Sequence, residues 1–286
     1  MAVRSITRPR TIALNVGVAL FALVTIAPLV WMVAVSLMPP GAADRFPPPL
    51  WPNHPTLANY RELLLPHVSA GGTTNYHIAR AFGNSVLLAV LSTAFGLAVT
   101  VPAGYAFAKL RFTGRARLFQ ALLALVVVPA QVAMLPLFLL LKWVGLVDTY
   151  AGVLAPGLAG IYAVLFVRQA LLGLPDELLD AARVDGASEG RIFVSIVLPL
   201  LRPVTVTLAL FAFLASWSDF LWPLIVLSDQ HRYTLPVALA AMSREHSRDI
   251  ELLMAGAVVT TLPVLAVFLG LQRFYFTGML GGGIKG

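Results

Sequence analysis

Apolar residues in this chain come in long, nearly unbroken runs rather than in the alternating or every-third-or-fourth rhythm of soluble strands and helices. A helix of roughly 20 such residues crosses the ~30 Å hydrocarbon core of a bilayer. Six runs reach that length, at about 11–38, 81–108, 118–142, 150–172, 203–227 and 252–275. The first stops at Pro39-Pro40, and the polar, proline-rich stretch after it leaves room for one short helix, capped by Thr56 and ending near Leu65. "KLRFTGRAR", from Lys109 to Arg117, separates the second and third runs, and Gly145 to Thr149 makes a tight turn into the fourth. Longer polar segments lie at 173–202 and 228–251. The pattern therefore predicts an all-α membrane protein with six transmembrane helices.

Composition agrees, because 59% hydrophobic and 12% charged residues cannot clothe a soluble domain of 286 residues. The basic start (Arg4, Arg8, Arg10) before an apolar run is signal-peptide-like, but the run from Thr11 to Leu37 is too long for a signal h-region, so it is expected to remain as the first span. A net charge of +7 suggests nucleic acid until its distribution is followed. Of the 20 Lys and Arg residues, 13 fall on one side of the predicted spans and 7 on the other. Positive charge collects on the cytoplasmic side. This places residues 1–10, the C-terminus and 173–202 in the cytoplasm, with 39–80, 143–149 and 228–251 outside.

Much enzymatic chemistry is missing. The sequence has no G-x-x-x-x-G-K-[ST] phosphate loop, no H-E-x-x-H pair and no cysteine, and its five histidines are scattered. The spans use up most of the chain. No catalytic residue, metal site or bound cofactor is expected within it.

The segment from Leu174 to Pro203 reads differently from its surroundings. Pro175 suits a first helical position, and Asp176 and Glu177 complement a helix N-terminus. Leu178, Ala181 and Ala182 are expected to form a compact apolar face. Asp185-Gly186 is a turn signal, and Ser188 can cap a second helix running toward Pro199. As a bare pattern, such an element lies on a membrane surface or docks on a partner.

The residues of this segment resemble the "EAA" loop of ABC importer permeases, with pattern E-A-A-x-x-x-G and then hydrophobic-x-L-P. Here it reads Asp180-Ala181-Ala182, Gly186 and Ile196-Val197-Leu198-Pro199, with Asp180 where the family has Glu. "NSVLLA", "VVPAQVAMLPLF", "FVRQALLGLPDELLDAARVDGAS", "WSDFLWPLIVL" and "GGGIKG" extend the likeness to the carbohydrate branch, the maltose and glycerol-phosphate permeases. The resemblance implies the type I importer permease fold and a pore-forming subunit for a sugar, polyol or oligosaccharide. It implies coupling to the ATPase through Glu177, Asp180, Ala181, Ala182, Asp185, Gly186, Leu198 and Pro199. It implies as partners a second, non-identical permease, two ATPase subunits that use ATP and Mg, and an extracytoplasmic solute-binding protein. Gly281 to Gly286 resembles the tail that reaches between the ATPases in the maltose system.

Asp219 is the one carboxylate inside an apolar run, and Gln131 is expected at similar depth. With Asn84, Trp217 and Trp222 they are candidates for the wall of a substrate path. Hydrogen bonding between helices and interfacial tryptophan anchoring account for the same residues. Arg168 reads as a snorkelling anchor. Pro102, Pro129, Pro136, Pro156 and Pro223 lie within spans, where kinks are tolerated. Tyr233, Arg244 and Glu245 stand where a binding protein would meet the outer surface. Two other readings remain: an importer permease for glycerol phosphate or another non-sugar solute, and a secondary transporter, which calls for inverted repeats and buried ionisable groups.

Overall fold

A computed structural model describes residues 8–45, 47, 49–65, 77–245 and 249–280, without the side chains of 8–10, 245 and 271–280. The expected roles of residues 1–7 and of the tail 281–286 lie outside the described residues. Every regular element described is helical. In chain order these are α1 (Arg8–Ser36), α2 (Ala58–Leu64), α3 (Ile78–Lys109), α4 (Arg115–Val126), α5 (Ala130–Trp143), α6 (Tyr150–Leu154), a 3₁₀ segment (Ala155–Ala159) and α7 (Ile161–Leu172). They continue as α8 (Asp176–Val184), α9 (Glu189–Ile192), a π-helical segment (Phe193–Val197) and α10 (Leu198–Leu200). The chain then forms α11 (Arg202–Trp217), α12 (Leu221–Val226), a 3₁₀ turn (Gln230–Arg232), α13 (Leu235–Glu245) and α14 (Ile250–Leu280).

Four stretches are long and apolar enough to cross a membrane: Thr11–Ser36, Ile78–Lys109, Tyr150–Leu172 and Ile250–Gly270. Two bent pairs raise the number to six if each is one span. Apolar side chains along α1 point outward, as with Phe21 and Val24, which are 76% and 70% exposed. That pattern suits hydrocarbon, where apolar side chains have no reason to turn inward.

The stretches expected as the third and fifth spans are not straight helices. α4 and α5 meet at 107° around Val127–Pro129. Pro129 has no N–H and pushes the residue before it away from helical backbone, so the ladder breaks there. At the other stretch, the helical segment 189–200 meets α11 at 77°. α11 then ends at Trp217, and α12 restarts at Leu221 after a short break.

The fold divides into two compact units. One comprises Met1–Ala79 and Leu239–Thr261. Here the end of α1 is pinned by α2: Asn59, buried to 1%, donates to Ser36 O at 2.9 Å and Met38 O at 2.8 Å. Ser36 Oγ and Tyr60 Oη share a 2.7 Å hydrogen bond. Glu251, 1% exposed, accepts from the Ala43 backbone N–H at 2.7 Å. The short helix expected in this region forms as α2, but its N-cap is Leu57 rather than Thr56, whose hydroxyl accepts the Ala58 N–H at 3.1 Å from one residue before the cap.

The second unit comprises Arg80–Ala238 and Leu262–Gly286. Its larger core joins Val101 and Tyr105 of α3, Val167 and Leu171 of α7, Leu179 of α8, and Ile192, Val197, Leu201 and Leu208. A smaller cluster gathers Leu141, Trp222, Val226 and Leu227. The larger core thus buries residues from both arms of the 174–203 segment, Leu179 from the first and Ile192, Val197 and Leu201 from the second, against α3 and α7. That burial sets where the segment sits.

Candidate coupling loop and transport path

α8 carries Asp176 and Glu177 in its first turn and Arg183 in its last, matching the helix dipole at both ends. Pro175 sits one residue earlier than expected, at the N-cap. The phase of the helix also differs. Leu179 is the residue driven inward, at 1% exposed, with Ala182 packed beside it. Leu178 and Val184 instead face outward, 43% and 87% exposed. With Leu179 facing the core, Glu177, Leu178, Asp180, Ala181, Val184 and Asp185 share the exposed surface. This surface mixes small, apolar and acidic side chains.

The turn after α8 closes with two paired hydrogen bonds. Ala187 N–H donates to Ala182 O at 3.0 Å and Gly186 N–H to Arg183 O at 3.0 Å. Gly186 has φ of 81°, the left-handed conformation that completes this helix stop. Ser188 then caps α9, accepting from Arg191 N–H at 3.4 Å. The second helix, expected to run on toward Pro199, passes through the π-helical segment 193–197. Leu198 is half-buried against the larger core and Pro199 is exposed.

Charged groups brace both arms. Arg183 Nη1 donates to Asp180 at 2.6 Å and Arg183 Nε to Glu189 at 2.7 Å. Asp180, at the position of the family's leading acid, is therefore held within its own chain. Exposed ion pairs of this kind contribute only ~0–1 kcal/mol each, so they orient more than they stabilise. Glu189 Oε2 also accepts from Tyr105 Oη at 2.8 Å. Lys109 Nζ donates to Leu174 O at 2.7 Å and to Asp176. The Lys109 hydrogen bond holds the Asp176 carboxyl below the usual carboxylate range, so it is charged at neutral pH.

The five path candidates differ in burial and in partners. Asn84, 8% exposed, donates to His231 O and Tyr233 O, each at 3.0 Å, and accepts from Tyr150 Oη at 2.8 Å. Its amide thereby ties the 228–234 segment to α3 and α6. Trp217 is 1% exposed and packs edge-on against Phe82 with ring centroids 5.6 Å apart. Trp222 is 6% exposed, and its indole N–H donates to Gly152 O at 3.2 Å. Asp219 is half-buried in the break between α11 and α12, accepting from Trp222 N–H at 3.4 Å. Gln131 is exposed on the first turn of α5. Arg168 stacks over Phe119, with 4.1 Å from guanidinium carbon to ring centroid.

Asp148 is a bracing residue that sequence reasoning missed. It adopts a φ of 58° and accepts from the N–H groups of Ser228 and Asp229 at 2.9 and 3.1 Å, while Arg232 donates to its carboxylate at 3.2 Å and to its carbonyl. Those backbone bonds hold the Asp148 carboxyl below its ordinary range. An acid in a tight turn after a glycine was the available signal.

Comparison with known proteins decides the family. Residues 100–279 match the profile described as "binding-protein-dependent transport system inner membrane component", which spans the loop and most of the second unit. The chain belongs to this family of inner-membrane permeases. Such permeases are components of ABC transporters and are not themselves enzymes. The permease is a multi-pass protein of the inner membrane. It is 40% identical to the arabinooligosaccharides transport system permease protein AraQ of Bacillus subtilis, over 72% of this chain and 73% of that one. It is 36% identical to the lactose transport system permease protein LacG of Rhizobium radiobacter, over 70% and 73%. Its fold matches a chain in the crystal structure of a bacterial ABC transporter that imports the acidic polysaccharide alginate. That match has a TM-score of 0.81 at 21% identity, covering 96% of the permease and 100% of the solved chain.

Proposed function

We propose that this permease forms half of the pore of an ATP-driven importer for a sugar, polyol or oligosaccharide, and that residues 174–203 transmit force from a separate ATPase. The observation that carries the reading is the outward face of α8, where exposed Leu178 and Val184 flank Asp180-Ala181 ahead of the Gly186 turn. On this reading Leu178 and Val184 are covered by the ATPase. The family depends on a binding protein, and the relatives named above transport arabinooligosaccharides and lactose. A second, non-identical permease and two ATPase subunits complete the assembly.

In this arrangement the 174–203 segment and both termini face the cytoplasm, and 228–234 faces outward toward the binding protein. Asp219 and Gln131 are the candidates left with polar groups to offer a hydroxyl-rich solute, since Asn84 and Trp222 are committed to backbone partners. The chain has no cysteine, so introduced ones report alone. Thr113→Cys and Gln230→Cys are expected to label from opposite sides of the membrane with an impermeant maleimide. Labelling from one side overturns the orientation.

The function itself is tested by uptake into proteoliposomes holding the full complex and its binding protein. Labelled lactose and arabino-oligosaccharides are to be offered with ATP and Mg inside. ATP-dependent accumulation of one of them, with half-saturation raised several-fold by Asp219→Ala, is the expected result. Accumulation driven by a proton or sodium gradient without ATP contradicts it. Uptake of glycerol phosphate but no sugar corrects the substrate class.

A further inference from the structure

The 174–203 segment touches α3 at two polar points, one turn apart on that helix. Lys109 Nζ, on a side chain 6% exposed, grips the entry to α8 through Leu174 O at 2.7 Å and the Asp176 carboxylate. Four residues earlier, Tyr105 is 4% exposed and donates its hydroxyl to Glu189 Oε2 at 2.8 Å, at the first residue of α9. The Tyr105 ring also lies against Phe193, with centroids 5.3 Å apart. Glu189 is in turn bonded to Arg183 at the far end of α8. The two contacts therefore fix the start of one arm, the start of the other, and the turn between them.

We infer that Tyr105 and Lys109 are positioning residues that make the coupling loop and α3 move as one body. The inference rests on the reading that this loop receives force from the ATPase. Residues at i and i+4 share one face of a helix, so a single rotation of α3 carries both contacts together. Both donors meet an ionised acceptor, the stronger class of hydrogen bond. The side chains that hold these contacts are buried while the acids they hold are on the loop surface. A load applied at the outward face of α8 then passes to α3 through fixed bonds as well as through the apolar contact of Leu179. Beyond the clamp the helix geometry changes: the π-helical segment 193–197 and the 77° bend before α11 are where the movement would be taken up.

The test uses the complete transporter in nanodiscs and proteoliposomes, comparing wild type with Tyr105→Phe/Lys109→Met. Phe keeps the ring and its packing on Phe193, and Met keeps the stem of the lysine, so folding is preserved. Backbone amides of 176–192 are expected to exchange hydrogen about tenfold faster in the double variant. ATP consumed per solute imported is expected to rise ~3-fold, because hydrolysis continues while less of each movement reaches the pore. Lys109→Arg, which retains a cationic donor, is expected to stay near the wild-type ratio. Faster exchange with an unchanged ratio makes the contacts merely structural and overturns the inference, as does an unchanged exchange rate. A wild-type complex that hydrolyses ATP without importing any solute defeats the underlying reading of the loop, and so differs from a failure confined to the double variant.

Discussion

Gly186→Val abolishes solute uptake, by tenfold or more, while leaving the chain inserted in the membrane. Gly186 occupies the left-handed region at φ 81°, and its two neighbouring hydrogen bonds terminate α8. An added Cβ would meet nothing within 4 Å, so the effect does not come from crowding within the chain. It comes from the backbone: an L-residue in this conformation costs ~1–2 kcal/mol, and a β-branched one more. To escape, the turn must reopen, which swings the Asp180–Asp185 face away from α9 and from the docking geometry proposed for it. Asn tolerates the left-handed region, so Gly186→Asn is expected to retain most uptake. Uptake assays on both variants, with surface labelling to verify insertion, separate the two cases. Equal activity of the valine and asparagine variants would remove the turn conformation from the mechanism.

Gly104→Ala is expected to lower the stability of the permease measurably, and to do so less in a Val167→Gly background. A Cβ at 104 would lie 2.5 and 2.6 Å from Val167 Cγ1 and Cβ and 3.1 Å from Val164 O. Atoms that close cannot coexist, so α3 and α7 must separate by about 1 Å, and overpacking of this kind costs ~1–3 kcal/mol. Val167 itself is fully buried and β-branched, with little rotamer freedom to move aside. In water, glycine to alanine inside a helix gains up to ~1 kcal/mol of propensity, which sets the sign of the competing term. Glycine at 167 removes both Cβ and Cγ1 and so clears the two closest contacts, and the pair should be strongly non-additive in a double-mutant cycle. Thermal denaturation of the detergent-solubilised complex reads the result. Additive effects would mean that α3 and α7 are not packed face to face at Gly104.

These two sites differ in how much of them the sequence discloses. Gly186 follows Asp185 between two amphipathic stretches, which is local turn chemistry and readable without a structure. The membrane spans are legible for a similar reason, since hydrocarbon demands apolar side chains on every exposed face. Nothing local marks Gly104, whose role depends on Val167 of another helix. The same limit hid the Tyr105–Glu189 bond, which joins residues 84 apart, and the Leu235 N–H to Ser85 bond, 150 apart. Helix phase failed in a different way. "DELLDAA" offers two adjacent leucines, and helical period alone does not say which one meets the core; the packing of α3 and α7 selects Leu179 over Leu178. The end of α11 was obscured because "WSDFLWPL" is apolar throughout except for Ser218 and Asp219. There the Asp219 carboxylate binds the Trp222 N–H, opening a new helix within an apolar run.

The substrate-path candidates illustrate why composition is a weak guide inside a membrane. Asn84, Trp217 and Trp222 were singled out as polar or aromatic groups in lipid-length runs. All three are buried, and Asn84 and Trp222 spend their hydrogen-bonding groups on backbone and side-chain partners. An unmet buried polar group costs ~1–3 kcal/mol, so such residues are recruited to brace loops as readily as to bind solute. Gln131 is exposed and Asp219 half-buried, which is why these two carry the solute contacts proposed above.

The most direct measurement is a photocrosslink from the outward face of α8. A benzoyl-phenylalanine at Val184, 87% exposed, is to be irradiated in membranes that carry out ATP-driven uptake. A loop that takes its force from an ATPase yields one dominant protein adduct, containing a nucleotide-binding subunit, with a yield that changes when ATP is added. Adducts with lipid alone from those same active membranes would contradict coupling through this loop.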